Sequence, residues 1–463
     1  MTPTNIDPSY REFVGAQVCR NPCLNGLASF LSGPHKPFGD ISLALYAPSE
    51  IYMRRILCME DIDSYSIEKL GTLLDINPLF FATYISTSFV GIDKSPSPPL
   101  IALFPSALAS DDSLHLHYQR VINLPSFPGS SRNPYEFKSS GNILRSVRRL
   151  ASLFGTHPGL VRSCCSILLK IIGLILVDST DADLIIPSAP GTQHERHYER
   201  TPQVPIQGGF EDFAEMPKYS QFRLSAKSDS IPQKSSILQT ILHYYRNPPP
   251  NFDSANPSIM ALSYYPLKIV GAEWMTYIQL MSCYVKFYEY SFRGHEHRSA
   301  EADIIDLQRW RRRGKQSLHK LYLVELFMDK HLCPQPTKPQ LNGDMKTIPY
   351  TTLREDFRYL STQIEHYSRA LEFILPVATT TMQLAEARRS IIEAANVRYL
   401  TYIALVFVPL TFASSLFSMQ EGFIPGQGNF WIYATVAVPL MIVVLALSLV
   451  TSVVRGRWKQ VLE

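Results

Sequence analysis

The feature that most constrains this chain is a pair of long uncharged apolar runs near its C-terminus. Between Arg398 and Arg455 the only charged residue is Glu421. The first run, residues 399–420, spans roughly 33 Å as a helix, which is enough to cross the hydrocarbon core of a bilayer. The second run, residues 430–454, is at least as long. We therefore predict two transmembrane helices, joined by a short loop at residues 421–429 that is rich in Gly and Pro.

Basic residues precede the first run and follow the second, whereas the loop between the two runs has none. They are Arg388, Arg389 and Arg398 before the first run, and Arg455, Arg457 and Lys459 after the second. The positive-inside rule then predicts that both termini lie in the cytosol and that the loop lies on the other side. We expect a multi-pass integral membrane protein with a basic cytosolic tail at residues 455–463. The plasma membrane is one candidate location.

The rest of the chain predicts a cytosolic α/β domain followed by helices. Short apolar runs between turn residues occupy residues 40–245, with one helix expected near residues 66–86. Residues 163–177 contain Lys170 and are too short for a span, so they fit two buried strands better. Residues 1–39 are predicted to be mostly disordered, and the polar stretch at residues 186–236 predicts a mobile insertion. The fold class is therefore an α+β cytosolic domain, a helical stalk region at residues 246–398 and a transmembrane hairpin.

Three long helices are predicted within the stalk region. Apolar and aromatic residues indicate helices at residues 259–292 and 302–331, and a third helix carries a heptad seam. The seam consists of Leu353, Phe357, Leu360, Ile364, Tyr367, Leu371 and Ile374. It requires a helical partner, either from the same chain or from other copies. Pro376 should kink or break this helix locally, after which the pattern continues into the first apolar run.

Few features point to chemistry in the cytosolic part. The pair Gly314-Lys315 lacks the upstream Gly of a phosphate-binding loop, and we predict that the chain is not an enzyme. A net charge of +4 gives no argument for a nucleic-acid partner. The basic run at residues 309–315 fits a solvated or subunit-facing helix surface better than a nuclear signal. His295 and His297 are weak metal-ligand candidates on a charged turn, and we expect no resident cofactor.

One stripe along the first apolar run is notable for its chemistry. On a helix, seven residues fall on one face, apolar in the cytosolic half and hydroxylated in the outer half. They are Val397, Leu400, Ala404, Val408, Thr411, Ser415 and Ser418. Several copies arranged around an axis would enclose a pore with this stripe inward. The same small and hydroxyl residues would equally serve close packing between membrane helices.

The segment LTYIALVFVPLTFASSLFSMQ, residues 400–420, resembles the first transmembrane helix of the CorA-type magnesium transporter family. Four upstream stretches resemble fungal members of that family, so that the resemblance runs through most of residues 40–455. They are DINPLFFATYI at 75–85, ILVDST at 175–180, GAEWMTYIQLM at 271–281 and ARRSIIEAANVRYLTY at 387–402. The resemblance implies a homopentamer in the lipid bilayer, with a cytosolic funnel, long stalk helices and a pore lined by the first span. Divalent cations, Mg²⁺ above all, would be the transported ions.

The resemblance also implies roles for individual residues. An apolar constriction would act as a gate, formed by Val397, Leu400, Ala404 and Val408. The pore and its selectivity would depend on Thr411, Ser415, Ser418, Met419, Gln420 and Glu421. This chain has Ser418-Met419-Gln420 where the family has its Gly-Met-Asn signature. Two main hypotheses follow, a CorA-like divalent cation channel or transporter and a non-conducting membrane-anchored scaffold or regulator. A membrane-tethered enzyme would require a pocket of titratable groups within residues 40–245.

Overall fold

The computed structural model divides into two compact units, Met1–Pro376 and Val377–Glu463. The residues that it describes are 8–33, 56–85, 112–124, 135–138, 143–153, 155–179, 183–186, 196–198, 237–245, 249, 252, 257–291, 300–332, 348–418, 428 and 431–446.

A mixed sheet forms the framework of the first unit, with eight strands among the described residues. They are β1 (Ile56–Glu60), β2 (Ser113–Asn123), β3 (Tyr135–Lys138), β4 (Leu144–Arg149), β5 (Pro158–Leu169), β6 (Gly173–Val177), β7 (Asp183–Ile186) and β8 (Arg196–Tyr198). The order is β1-β6-β5-β4-β3-β7-β8, with β2 lying along β5. Strands β1 and β6 are parallel and the other pairs are antiparallel. The two buried strands predicted within residues 163–177 are confirmed as β5 and β6.

Four short helices accompany this sheet. They are α1 (Tyr10–Gln17), α2 (Asn25–Ser32), α3 (Ser64–Leu74) and α4 (Pro78–Ile85). The prediction that residues 1–39 are mostly disordered is wrong for residues 8–33. Ser9 and Glu12 form a capping box on α1, and apolar side chains of α1 and α2 join a core with α3, α4 and strands β5 and β6. The Tyr10 hydroxyl donates to the Ile76 carbonyl at 2.8 Å, which fastens α1 to the turn after α3.

The single helix expected near residues 66–86 is also wrong, because the chain turns between α3 and α4. Asp63 caps the start of α3 by accepting from the Ser66 amide at 2.8 Å. Asp75 ends α3 in the left-handed conformation, with φ of 47°. Pro78 then begins α4, a position where its missing N–H costs no hydrogen bond.

A buried ion pair joins α4 to the sheet. Arg145 on β4 and Asp178 after β6 are 2.5 Å apart, with 5% and 7% of their side chains exposed. Arg145 also donates to the carbonyls of Tyr84 and Ile85 at the end of α4, and Asp178 accepts from the Cys164 amide at 2.8 Å. Burial opposes the charge of Arg145, but the Asp178 carboxylate outweighs it and raises the pKa of Arg145.

Three further helices belong to the first unit, and a fourth begins in it and continues into the second unit. They are α5 (Ile237–Tyr244), α6 (Ile259–Ser291) and α7 (Ala300–Leu332), followed by α8 (Ile348–Phe417). The helices predicted at residues 259–292 and 302–331 are confirmed as α6 and α7. Aromatic contacts hold the two together, with the Trp310 ring 5.1 Å from that of Tyr284 and 6.1 Å from that of Tyr277.

The heptad seam of α8 finds its partner within the same chain. Leu353, Phe357, Leu360, Ile364 and Leu371 are all buried, while Tyr367 and Ile374 are half-buried. Polar bonds from α8 reach α7, such as Arg354 to Asp329 at 3.3 Å and Arg311 to Glu372 at 3.0 Å. The copies of the chain are therefore not needed to cover this seam. The break considered at Pro376 does not occur, because α8 continues past this residue to Phe417.

Within the second unit, α8 continues to Phe417 and is followed by α9 (Trp431–Ala446). Of the predicted polar insertion at residues 186–236, the structure describes only Ile186, which ends β7, and strand β8. The other residues of the insertion lie outside the described part of the chain. The assignments of the loop 421–429, the span 430–454 and the tail 455–463 remain predictions.

Candidate functional site

The candidate site is the apolar part of α8 together with α9. Of the helices in the described part of the chain, α8 is the one long and apolar enough to cross a membrane. Its uncharged part up to Phe417 covers about 28 Å, close to the thickness of the hydrocarbon core. Helix α9 is described only as far as Ala446 and covers about 24 Å. Residues 447–454 of the predicted second span lie outside the described residues, so the two-span hairpin stays a prediction.

Helices α8 and α9 meet near the end of α8, and small buried residues lie on both helices close to this contact. Ala413 on α8 and Ala437 on α9 are each 3% exposed, and Pro409 is buried one turn before Ala413. The rings of Phe417 and Tyr433 meet edge to face at 5.9 Å. Alanines allow the two backbones to approach closely, which is how membrane helices associate without a hydrophobic driving force between them. The sequence analysis did not single out this contact, although the small residues at Ala413 and Ala437 are a signal for it.

The predicted stripe lies on the other side of α8. At roughly 100° per residue, its mean direction is about 160° from that of Leu405, Pro409, Ala413 and Phe417. All seven stripe residues, Val397, Leu400, Ala404, Val408, Thr411, Ser415 and Ser418, are exposed in the single chain. Val408 retains 64% of its surface. The helix therefore uses one face for α9 and leaves the stripe free of contacts that would hide it.

The hydroxyl groups of this helix bond to its own backbone. Thr411 Oγ1 lies 2.9 Å from the carbonyl oxygens of both Phe407 and Val408, and Thr401 Oγ1 donates to the Val397 carbonyl at 2.8 Å. With its proton directed into the helix, the Thr411 oxygen presents lone pairs outward. Such an oxygen can accept a hydrogen bond from water or from a hydrated cation.

An open apolar groove of about 520 Å³ runs along the side of α8 toward α9. It is lined by Thr401, Ala404, Leu405, Val408, Pro409, Phe412, Leu440 and Val444. Ala404 and Val408 belong to both the groove and the stripe. These two residues therefore stand at the border between the face that packs on α9 and the exposed face.

The remaining predicted site residues are only partly described. Ser418 follows the end of α8 in a turn, and its amide donates to the Ser414 carbonyl at 2.9 Å. Met419, Gln420 and Glu421 lie outside the described residues, as do His295 and His297. Within the described part of the chain, no three His, Cys, Asp or Glu side chains come together as a metal site.

Charged residues lie just before the apolar segment. Arg389 pairs with Glu393 at 3.0 Å on one side of the helix, and Arg398 Nε donates to the Tyr402 hydroxyl at 3.3 Å. These side chains are exposed. The last charge before the run is thus held against an aromatic side chain of the run itself, an arrangement typical of a membrane interface.

Comparison with known proteins finds a similarity in the C-terminal part of the chain. Residues 348–455 match the family model described as CorA-like Mg2+ transporter protein. This family comprises transporters rather than enzymes, in agreement with the prediction that the chain is not an enzyme. Comparison with curated proteins finds no match.

Two solved structures resemble the chain at low similarity. The CorA magnesium transporter from Methanocaldococcus jannaschii is 12% identical, with a TM-score of 0.36 over 87% of this chain and 92% of that one. The full-length CmaX protein is 13% identical, with a TM-score of 0.39 over 89% of this chain and 91% of that one.

Proposed function

Because residues 348–455 match the family of CorA-like Mg2+ transporters, we propose that this chain is a membrane channel or transporter for divalent cations, with Mg²⁺ as the leading substrate. Several copies, five by the resemblance of the sequence, would surround a common axis. Both termini would lie in the cytosol. The observation that carries the proposal is the exposed stripe on α8, which runs along the helix opposite the face that packs on α9.

The two faces of α8 suggest how the helices would be arranged. With its Ala413 face covered by α9, the helix has its stripe left for an axis shared with other copies. Helix α9 would then lie outside and face lipid. The open apolar groove beside Ala404 and Val408 would accept side chains of the neighbouring copy.

The outer half of the stripe suits a hydrated ion. Mg²⁺ gives up its water reluctantly, so a pore recognises it best through its hydration shell. Water bound to a cation donates hydrogen bonds outward, and the pore must supply acceptors. The Thr411 oxygen is such an acceptor because its proton is engaged by the carbonyls of Phe407 and Val408. Ser415 would repeat this chemistry one turn further out.

The cytosolic half of the stripe would form the gate. Val397, Leu400, Ala404 and Val408 offer no hydrogen-bond partner to the hydration shell, so a narrow ring of them would dewet and block ions. A rotation or separation of the helices would admit water. The membrane potential would then drive entry, at about 4.6 kcal/mol per divalent ion per 100 mV.

The outer mouth would be formed by Ser418, Met419, Gln420 and Glu421. The carboxamide of Gln420 would hydrogen-bond the hydrated ion, and the Glu421 carboxylate would attract cations to the mouth. Replacement of Gln420 by Ala should reduce Mg²⁺ uptake into proteoliposomes at least tenfold. Gln427→Ala, the same change in the same loop, is the matched control and should leave uptake within twofold. Uptake by the unaltered protein no faster than in empty liposomes would refute transport itself.

The choice of pore-lining face has its own test. Val408→Ser places a hydroxyl in the proposed gate and should raise Mg²⁺ leak through the closed pore. Val406→Ser is the matched control, since Val406 is half-buried and points roughly 160° away from Val408. Equal leak through both variants, or greater leak through Val406→Ser, would show that the stripe does not line the pore.

A non-conducting scaffold or regulator is the second candidate. The observation that favours it is the side chain of Ser418, which stands at the end of α8 where the family signature has Gly. A ring of such side chains would narrow the mouth. If Ser418→Gly creates uptake where the unaltered protein has none, the scaffold reading is supported and the channel reading fails.

A further inference from the structure

The apolar groove between α8 and α9 is a shaped depression and not a flat strip of helix surface. Six of its lining residues come from α8, from Thr401 to Phe412, and two come from α9, Leu440 and Val444. Pro409 forms a buried floor, while Leu440 and Val444 are half-buried walls. Thr401 and Phe412 lie roughly 16 Å apart along an ideal helix. The groove therefore suits an elongated molecule that lies along α8.

One end of the groove is polar and the rest is hydrocarbon. Thr401 is the single residue with a polar side chain among the eight that line it. Its hydroxyl donates to the Val397 carbonyl at 2.8 Å, so the oxygen keeps lone pairs that can accept a hydrogen bond from a ligand. A molecule that fills the groove and satisfies this oxygen has an apolar body and one donor at one end.

The polar end also lies at the depth where a membrane lipid carries its polar group. Thr401 comes three residues after Arg398, the last charge before the apolar run, which places it about 4.5 Å further along the helix. Arg398 Nε donates to the Tyr402 hydroxyl at 3.3 Å, and such residues anchor a span at the headgroup level. A hydroxyl bound at Thr401 would stay near the headgroups, while the rest of the ligand would extend toward Phe412 within the hydrocarbon.

The sequence at this end has the spacing of a short pattern that has been proposed for sterol contact. Arg398, Tyr402 and Leu405 supply a basic, an aromatic and an aliphatic residue, separated by three and by two positions. The pattern is weak evidence and carries no argument without a binding surface. Here the surface is present, because Leu405 lines the groove and the bonded pair of Arg398 and Tyr402 flanks Thr401 in the sequence.

We propose that this groove binds a sterol, a flat fused-ring lipid with a single hydroxyl group. The sterol hydroxyl would donate to the Thr401 oxygen, and the rings would lie on Pro409 between Leu405 and Leu440. Close packing of rigid rings against these side chains would supply the affinity, since no hydrophobic force acts between groups that are both in lipid.

A sterol suits the groove better than a phospholipid chain or a neighbouring copy. An acyl chain loses rotamer freedom when it is held straight, whereas fused rings have none to lose. Phosphatidylcholine also offers no hydrogen-bond donor to the Thr401 oxygen. The neighbouring copy proposed above would reach the exposed lip at Ala404 and Val408 and would leave the buried floor at Pro409 uncovered. The proposal rests on the membrane location of α8 and not on ion transport.

Binding of tritiated cholesterol to the purified full-length protein in detergent tests the proposal. We expect saturable binding that unlabelled cholesterol displaces, and that epicholesterol, the epimer at the hydroxyl, displaces at least fivefold less well. Thr401→Val removes the hydroxyl, keeps the shape of the side chain and should weaken binding at least fivefold. Thr435→Val is the matched control, because the Thr435 hydroxyl also bonds to its own helix but lies outside the groove, and its affinity should stay within twofold.

A second pair of variants tests the position of the rings. Val444→Phe fills the groove and should weaken cholesterol binding at least tenfold. Val443→Phe adds the same ring at the adjacent position of α9, where Val443 is exposed and does not line the groove, and its affinity should stay within twofold. Cholesterol should raise the Tm of the unaltered protein and of Val443→Phe, and should leave the Tm of Val444→Phe unchanged.

Several results would overturn the proposal. They are binding that does not saturate, equal displacement by epicholesterol and cholesterol, and unchanged binding in Val444→Phe. Displacement by phosphatidylcholine as effective as that by cholesterol would assign the groove to an acyl chain. Binding that appears only after the oligomer is dissociated would assign it to the neighbouring copy. Absence of Mg²⁺ uptake with cholesterol binding retained would refute the proposed function alone, and the reverse result would refute the sterol site alone.

Discussion

Replacing Asp178 by Asn should destabilise the sheet-bearing unit, because the change leaves a buried guanidinium without its counter-charge. The side chains of Arg145 and Asp178 are only 5% and 7% exposed, so water cannot replace the lost carboxylate. Arg145 would keep its bonds to the carbonyls of Tyr84 and Ile85, but these are neutral partners. The amide of Cys164 would lose a charged acceptor at 2.8 Å.

The size of the effect follows from this geometry. Removal of one partner from a buried ion pair costs about 3–5 kcal/mol. At roughly 2 °C per kcal/mol for a unit of this size, Tm should fall by about 6–10 °C. Replacing both partners by apolar residues, as in R145M/D178L, should recover much of that loss because no charge is then left buried.

Thermal unfolding followed by tryptophan fluorescence measures these changes, since Trp274 and Trp310 are buried in this unit. Asp329→Asn is the matched control. Asp329 also contacts two arginines, Arg354 and Arg358, but 42% of its side chain is exposed and its loss should cost less than about 1 kcal/mol. A Tm for Asp178→Asn within 2 °C of that control would refute the reasoning.

Three further predictions concern packing and charge in the same unit. Gly71→Ala brings a methyl group 2.5 Å from the Tyr10 ring, so α1 should detach from α3. Residues 8–33 should then become sensitive to protease, and unchanged resistance would contradict the docking of α1. In Gly314→Ala, the added methyl group would lie 2.1 Å from the Ser368 side chain, so the Tm should fall. Adding Ser368→Gly in the double variant should restore the Tm. A Tm unaffected by Gly314→Ala alone would count against this contact between α7 and α8. Because the folded pKa of Lys320 is depressed to about 8, its charge opposes folding at pH 7, and this penalty fades as the pH rises past 8. Lys320→Met should therefore have the higher Tm at pH 7 and lose more than half of that advantage by pH 9.5, because the penalty is removed progressively between the folded pKa of about 8 and the unfolded value of 10.5. A constant difference would show that the charge of Lys320 is not responsible.

The position of α9 helps to interpret the exposed stripe of α8. A stripe of apolar and hydroxyl residues is compatible with a pore or with a packing surface, and periodicity cannot separate the two. Phe417 contacts Tyr433 of α9 from the opposite face, on which Ala413 is also buried, and this leaves the stripe for another use. The open groove beside Ala404 and Val408 lies at the border of the two faces.

Local patterns predicted much of the architecture. An apolar run without charges can be recognised in isolation, because the bilayer sets the required length and the exclusion of charge. The strands β5 and β6 and the helices α6 and α7 followed in the same way from the length and period of their apolar residues. The predictions failed where local signals were weak, as at Tyr10 and Val14, whose helix is short and gains its order from burial against α3 and α4.

The sequence by itself therefore determined the apolar segments, their flanking charges and the heptad seam, since each depends on residues that are neighbours along the chain. Only the tertiary structure decided what those surfaces contact. It assigned the seam of α8 to the chain's own helices, turned the stripe away from α9 and paired Arg311 and Lys315 of the basic run with Glu372. Arg311 and Glu372 are 61 residues apart in the sequence. Such separations carry no local signal, because the two side chains meet only when the helices are packed.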